Sequence, residues 1–120
     1  MLRCLIVDDS PRFLQAVRGL LEREGVVVVG VASNIGESVR QAGRLRPDVT
    51  LVDVDLGGES GFEAARRLHA AAGPGPAPVI LISTHAEEDY ADLIAASPAV
   101  GFLPKTTLSG DAIRELLGSR

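Results

Sequence analysis

Five short apolar runs alternate along this chain with five segments whose apolar residues recur at helical spacing. The runs are rich in Val, Ile and Leu without a polar face, as is typical of strands buried on both sides of a parallel sheet. Regular alternation of strand and helix predicts such a sheet covered by helices on both faces. We therefore expect a doubly wound α/β fold: a (βα)5 three-layer sandwich with a parallel five-stranded sheet of order 2-1-3-4-5. The length suits a single domain over residues 1–120.

The boundaries of the elements follow from local signals. Strands are predicted at residues 2–7, 26–31, 49–53, 79–82 and 100–103. Ser10 before Pro11 is typical of a helix N-cap followed by proline in the first turn. Asn34 with Glu37 resembles a capping box at the start of the second helix. The fourth helix is expected over roughly residues 86–96, with acids in its first turn.

The charge and the single cysteine exclude several classes of protein. Acidic residues outnumber Lys and Arg by 16 to 12, so we expect no direct nucleic-acid binding by this domain. Neither a signal peptide nor an apolar stretch of membrane-spanning length is visible, so we expect a cytoplasmic protein without membrane contact. Cys4 is the only cysteine of the chain and therefore has no partner for an internal disulfide. Because it lies inside the first apolar run, we expect it in the core.

Acidic residues stand where two predicted strands end. Asp8 and Asp9 follow the first strand, and Asp53 ends the third. Each acid alone could merely cap a turn or a helix. In the predicted strand order, however, strands one and three are neighbours, and ligands bind beyond their carboxyl ends. The three carboxylates should therefore converge.

Converging carboxylates repel one another unless a cation joins them. Oxygen ligands of this kind suit Mg²⁺, which works beside phosphates. Ser83 ends the fourth strand, and Lys105, the only lysine of the chain, follows the fifth. A hydroxyl donates to a phosphoryl oxygen, and a lysine places a mobile positive charge beside it. The combination indicates phosphoryl transfer with a carboxylate as acceptor.

The chain resembles a response-regulator receiver domain, the phospho-acceptor module of two-component signalling. The motifs LIVDDS, LVDVDLGGESG, ILIST and GFLPK stand in the order and at the spacing of that family. The resemblance extends from the first strand to the last helix. It implies a flavodoxin-like receiver fold and a regulatory domain rather than an enzyme, with self-catalysed aspartyl phosphorylation and dephosphorylation only.

The resemblance also implies a role for each acid. Asp53 corresponds to the phosphorylated aspartate, which also contacts Mg²⁺. Asp9 would bind the metal directly, and Asp8 would act largely through a bound water. The backbone carbonyl of Asp55 would be the remaining protein ligand.

Three further residues match positions that the family uses after phosphorylation. Ser83 would be the switch hydroxyl that moves toward the phosphoryl group, and Lys105 would pair with that group. Phe102 would be the switch aromatic, which turns inward when the hydroxyl moves. His85 is interpreted as a solvated loop histidine.

The implied partners are those of a signalling relay. A histidine kinase or a phosphotransfer protein would donate the phosphoryl group. A surface formed by strand five, helix four and helix five would then control an output domain or a downstream protein, with possible homodimer formation on phosphorylation.

The chain departs from the family pattern at several positions, and two alternative functions stay open. Gly57 replaces the usual proline and is expected to make its loop more flexible, Thr106 replaces a frequent proline, and Asp55 adds an acid near the acceptor. The pair Asp53 and Asp55 is similar to that of haloacid-dehalogenase-type phosphatases, which however need further acids downstream of a lysine. A pseudo-receiver with an idle site is the second alternative, although every expected site group is present.

Overall fold

The fold is described by a computed structural model for residues 1–73, 75 and 77–118. Its sheet consists of five parallel strands: β1 (Arg3–Val7), β2 (Val27–Ala32), β3 (Val49–Asp53), β4 (Val79–Ser83) and β5 (Gly101–Pro104). They lie in the order β2-β1-β3-β4-β5, which confirms the predicted doubly wound topology. The carboxyl ends of β1 and β3 are therefore adjacent at the point where the strand order reverses.

Five α-helices connect or follow the strands: α1 (Pro11–Arg23), α2 (Ile35–Leu45), α3 (Gly61–Ala71), α4 (Ala91–Ala95) and α5 (Gly110–Gly118). The fourth differs from its prediction, since the 3₁₀ helix Glu87–Tyr90 replaces its first turns. Neither this segment nor α4 contains a buried residue, so little tertiary packing enforces a regular α-helix there. In the part of the chain that the structure describes, no helix is long and apolar enough to cross a membrane.

The sheet separates two apolar layers. Cys4 and Ile6 face the layer that holds α1 and α5, whereas Leu5 and Val7 face the layer that holds α2, α3 and α4. This alternation along β1 is the two-residue period of a strand. Because both faces are covered, the central strands have no polar face, which explains the continuous apolar runs of the sequence.

Side-chain caps fix where α1 and α2 begin. Ser10 Oγ accepts the backbone N–H of Phe13 at 3.2 Å, as the Ser-Pro pattern predicts. Asn34 Oδ1 accepts the N–H of Glu37 at 2.8 Å, and Glu37 Oε1 accepts the N–H of Ser33 at 2.8 Å. The predicted helix start at Asn34 is confirmed, but Glu37 caps the N–H of Ser33, one residue before the N-cap, rather than the N–H of Asn34 as a strict capping box requires. Both helices begin within a few residues of the strand that they follow.

Burial makes Cys4 a probe of unfolding. Its side chain is fully buried, and burial raises the pKa of its thiol to about 12. The thiolate is the reactive form, so we expect a thiol reagent at neutral pH to modify Cys4 only when the protein unfolds. A native protein that reacts as fast as the protein in denaturant would contradict this prediction.

Candidate functional site

Three carboxylates meet at the carboxyl edge of the sheet. Val7 of β1 is in register with Val52 of β3, which places the following residues, Asp8 and Asp53, side by side. Oxygen atoms of Asp8, Asp9 and Asp53 all lie within 4.8 Å of one another. Asp8 and Asp53 are buried, while Asp9 is exposed. The convergence expected from the sequence is present.

Lys105 extends from the end of β5 into this cluster. Its Nζ lies 2.6 Å from Asp8 Oδ2 and donates to Asp53 Oδ2 at 3.0 Å. Burial alone would lower the pKa of Lys105, but the contacts with Asp8 and Asp53 outweigh it and raise that pKa above its usual value. The ammonium group therefore keeps its charge at neutral pH between the two buried carboxylates.

The surroundings of Asp53 shift the pKa of its carboxyl group. Burial raises the pKa of Asp53, and repulsion from Asp8 adds to that effect. Hydrogen bonds from Lys105 and from the backbone N–H of Asp55 act in the opposite direction, and the resulting pKa is about 6. Further positive charge beside Asp53 would favour its ionised form, which is the nucleophilic one.

The acidic cluster fits a hard divalent cation. Asp8 Oδ2 is buried, and the ammonium of Lys105 lies 2.6 Å from it. Carboxylate oxygens in this number are ligands that Mg²⁺ prefers. Asp8, Asp9 and Asp53 can therefore hold a metal ion.

The loop after β3 contains a tight turn between Asp55 and Gly57, two positions at which the chain departs from the family pattern. Asp55 Oδ1 accepts the backbone N–H of Gly57 at 3.1 Å, and Gly57 has a φ of 75°. Proline could neither donate that hydrogen bond nor adopt this φ. A second hydrogen bond, from the N–H of Leu56 to the carbonyl of Glu59 at 3.0 Å, closes the loop. The turn gives the loop a defined shape in this structure, and the flexibility expected of Gly57 stays a prediction.

Gly57 also lies against the acidic cluster. A Cβ at this position would stand 2.9 Å from Asp9 Oδ2. We expect Gly57→Ala to lower stability by about 1–2 kcal/mol, because of the left-handed backbone, and to weaken Mg²⁺ binding by displacing Asp9. Urea unfolding and Mg²⁺ titration by calorimetry measure the two effects. Gly58→Ala is the matched control, since a Cβ there meets nothing within 4 Å; equal Mg²⁺ affinity of both variants would contradict the prediction.

Ser83 and Phe102 lie where the sequence predicts them, at or near the carboxyl ends of β4 and β5. Ser83 is buried, and its Oγ accepts the backbone N–H of His85 at 3.0 Å. Phe102 is buried, and its ring packs against Tyr90 with 6.4 Å between centroids. Tyr90 also contacts Phe62 and His85, at centroid distances of 5.8 Å and 6.1 Å. His85 is exposed as expected, but its ring belongs to this aromatic cluster.

Sequence reasoning missed one neighbour of the site. The ammonium of Lys105 lies 4.1 Å from the ring centroid of Phe13, in the first turn of α1. In the sequence, Phe13 fits the apolar stripe of its helix, and it is partly buried against the layer that holds α1. The available signal was its position three residues after Ser10, which places it in the turn that starts directly after the acidic pair.

The site and the fold define a receiver of two-component signalling. The sequence profile of the family described as "Response regulator receiver domain" matches residues 4–117. The chain belongs to this family, whose members are regulatory domains.

Relatives with curated names carry this domain in proteins of different length. Protein PilH of Pseudomonas aeruginosa is 40% identical over 88 residues, which are 73% of this chain and 72% of that protein. A protein-glutamate methylesterase/protein-glutamine glutaminase of Alkalilimnicola ehrlichii is 34% identical over 114 residues, which are 91% of this chain but 28% of that protein. The chain thus spans little more than a quarter of the methylesterase, whose named activity belongs to that protein.

Solved receivers share the whole fold. A two-component response regulator of the LuxR family from Aurantimonas sp. SI85-9A1 has a TM-score of 0.84 and 30% identity, covering 98% of this chain and 86% of that one. The receiver domain of the putative response regulator NarL from Mycobacterium tuberculosis has a TM-score of 0.82 and 28% identity, covering 98% and 94%.

Proposed function

We propose that Asp53 accepts a phosphoryl group from the phosphohistidine of a histidine kinase or a phosphotransfer protein. The observation that carries the proposal is the ammonium of Lys105, which contacts both buried carboxylates, Asp8 and Asp53, beside an acidic cluster suited to a metal ion. Mg²⁺ would be held by Asp8, Asp9, Asp53 and the backbone carbonyl of Asp55, and when bound it would supply positive charge to the transferring group.

The transfer uses few protein groups. An ionised oxygen of Asp53 attacks phosphorus, a P–O bond forms, the P–N bond of the donor breaks, and the leaving imidazole takes a proton from solvent. Lys105 neutralises negative charge on the phosphoryl oxygens while the P–N bond breaks and the P–O bond forms. The low exposure of Asp53 and Lys105 strengthens this electrostatic contribution.

The phosphorylated side chain carries roughly −1.5 to −2 charges, which is up to about one more negative charge than the ionised carboxylate of Asp53. This charge recruits the hydroxyl of Ser83, whose oxygen accepts the backbone N–H of His85 in the resting state. The aromatic cluster next to that loop, including Phe102 as the switch aromatic, would adjust in turn. The surface formed by β5, α4 and α5 would then control an output domain or a downstream protein in the cytoplasm, with a homodimer as one possible response.

Incubation with acetyl phosphate, with and without Mg²⁺, tests this function. We expect intact-mass spectrometry to find one phosphoryl group per chain, and much less of it without Mg²⁺. Turnover of phosphomonoesters without an adduct would instead support the phosphatase alternative. Neither adduct nor turnover would support a pseudo-receiver.

Tyr90 provides an optical reporter of the switch. It is the only tyrosine, and the chain has no tryptophan. Since its ring contacts both His85 and Phe102, we expect the tyrosine emission to change when acetyl phosphate and Mg²⁺ are added. The change should be smaller in Ser83→Ala at equal adduct level. Unchanged emission at full phosphorylation would contradict the coupling.

A further inference from the structure

Phe13 lies against the lysine of the site, and we infer that it is a positioning residue that holds Lys105 for phosphoryl transfer onto Asp53. The ammonium stands 4.1 Å from the ring centroid. A cation at this distance from an aromatic face is attracted by the ring quadrupole. The inference rests on the proposed function, and it adds to the site a residue from α1 that carries no charge.

The start of α1 fixes the position of Phe13. Its backbone N–H donates to Ser10 Oγ at 3.2 Å, and the N–H of Ser10 donates to Asp8 Oδ1 at 2.8 Å. Pro11 in the first turn further restricts the backbone. Asp8, the cap and the ring therefore form one connected unit, so the ring is held in a fixed place relative to the carboxylates.

The ring completes the surroundings of the ammonium group. Asp8 and Asp53 contact Lys105 Nζ at 2.6 Å and 3.0 Å, and the face of Phe13 covers a further side. The lysine side chain is 13% exposed, so the cation is largely removed from water. Cation–π attraction is stronger for a desolvated cation than for an exposed one.

This contact has a specific use during transfer. Lys105 must turn from Asp53 Oδ2 toward an oxygen of the incoming phosphoryl group. The ring of Phe13 takes no part in the transfer, so its attraction for the cation persists while the contacts with the carboxylates change. Phe13 therefore keeps the ammonium at the site while its carboxylate partners change. An aliphatic side chain of similar size would fill the space without attracting the charge.

The rate of adduct formation tests the inference. With acetyl phosphate and Mg²⁺, we expect Phe13→Leu to slow phosphorylation about 5- to 30-fold, and Phe13→Tyr, which keeps the ring face, to remain near wild type. Leu14→Ala is the matched control, because Leu14 packs on the same apolar layer from the next position of α1. It should lower stability without comparable slowing.

A double-mutant cycle gives an independent readout that does not need phosphorylation. The loss in urea midpoint caused by Phe13→Leu should shrink in a Lys105→Met background, because the cation is already gone. An equal loss in both backgrounds, or a wild-type rate for Phe13→Leu, would overturn the positioning role. Absence of any adduct on the wild-type protein would overturn the proposed function itself, and the two failures are thus distinguishable.

Discussion

Asp53→Asn should abolish phosphoryl uptake while leaving the fold intact. The amide has nearly the shape of the carboxylate but is not a nucleophile toward phosphorus. With acetyl phosphate and Mg²⁺, intact-mass spectrometry should find no adduct on this variant at times when the wild type is fully modified. Asp55→Asn is the control, because Asp55 lies two residues further on and should leave adduct formation in place. An Asp53→Asn variant that is modified at the wild-type rate would exclude Asp53 as the acceptor.

The same substitution should stabilise the metal-free protein at neutral pH. The pKa of Asp53 rises from 3.8 to about 6 on folding, mainly through burial, so folding disfavours its ionised form. This cost is fully present above pH 6 and disappears as the pH falls below the unfolded pKa. We expect Asp53→Asn to raise the free energy of unfolding by about 1–2 kcal/mol at pH 7 and to change it little near pH 3.5.

Urea unfolding at both pH values, with a chelator present, measures this difference. A variant that is less stable than the wild type at pH 7 would contradict the direction of the pKa shift. It would also indicate that the hydrogen bond from Lys105 contributes more than burial costs.

Gly61→Ala should be the most damaging substitution of a small residue near the site. A Cβ at Gly61 would overlap the backbone carbonyl oxygen of Asp53 and stand 2.7 Å from Val54 Cα. These are backbone atoms of β3 and its extension, which cannot turn aside as a side chain can. The N–H of Gly61 also donates to the carbonyl of Val54 at 2.8 Å. We expect a loss of about 3 kcal/mol or more in unfolding free energy.

Displacement of the Asp53 backbone should also slow phosphorylation of whatever fraction of Gly61→Ala remains folded. Urea unfolding and the rate of adduct formation measure the two effects. Gly43→Ala within α2 is the control, because a Cβ there meets nothing within 4 Å. Alanine should be tolerated or stabilising by up to about 1 kcal/mol at that position. Similar stability of both variants would contradict the packing argument.

The sequence was sufficient for the parts of the molecule that depend on the backbone pattern. Alternation of strands and helices predicted the strand order, and that order brought Asp8 and Asp53 together because β1 and β3 are neighbours. The positions of Ser83 and Lys105 near these acids could be predicted in the same way, because β4 and β5 end at the same edge of the sheet. Each of these inferences needs only the direction of a strand and the residue at its end.

Contacts that depend on side-chain direction could not be predicted in this way. The approach of Phe13 to Lys105 joins the first turn of α1 to the end of β5, which are far apart in the chain. The turn between Asp55 and Gly57 could not be predicted, because it depends on the positive φ of Gly57 and on the hydrogen bond that this backbone conformation allows. Helix four was predicted too long because its acidic first turn favours a helix, whereas its lack of buried residues was not apparent.

Chemical trapping of the phosphorylated protein tests most directly whether Asp53 is the residue that accepts the phosphoryl group. Borohydride reduces an aspartyl phosphate to homoserine, and fragmentation of the resulting peptides locates the reduced residue. We expect homoserine at position 53 after treatment with acetyl phosphate and Mg²⁺, and unmodified aspartate at positions 8, 9 and 55. Reduction at any of those other positions, or no reduction while the intact mass shows a phosphoryl group, would contradict this expectation.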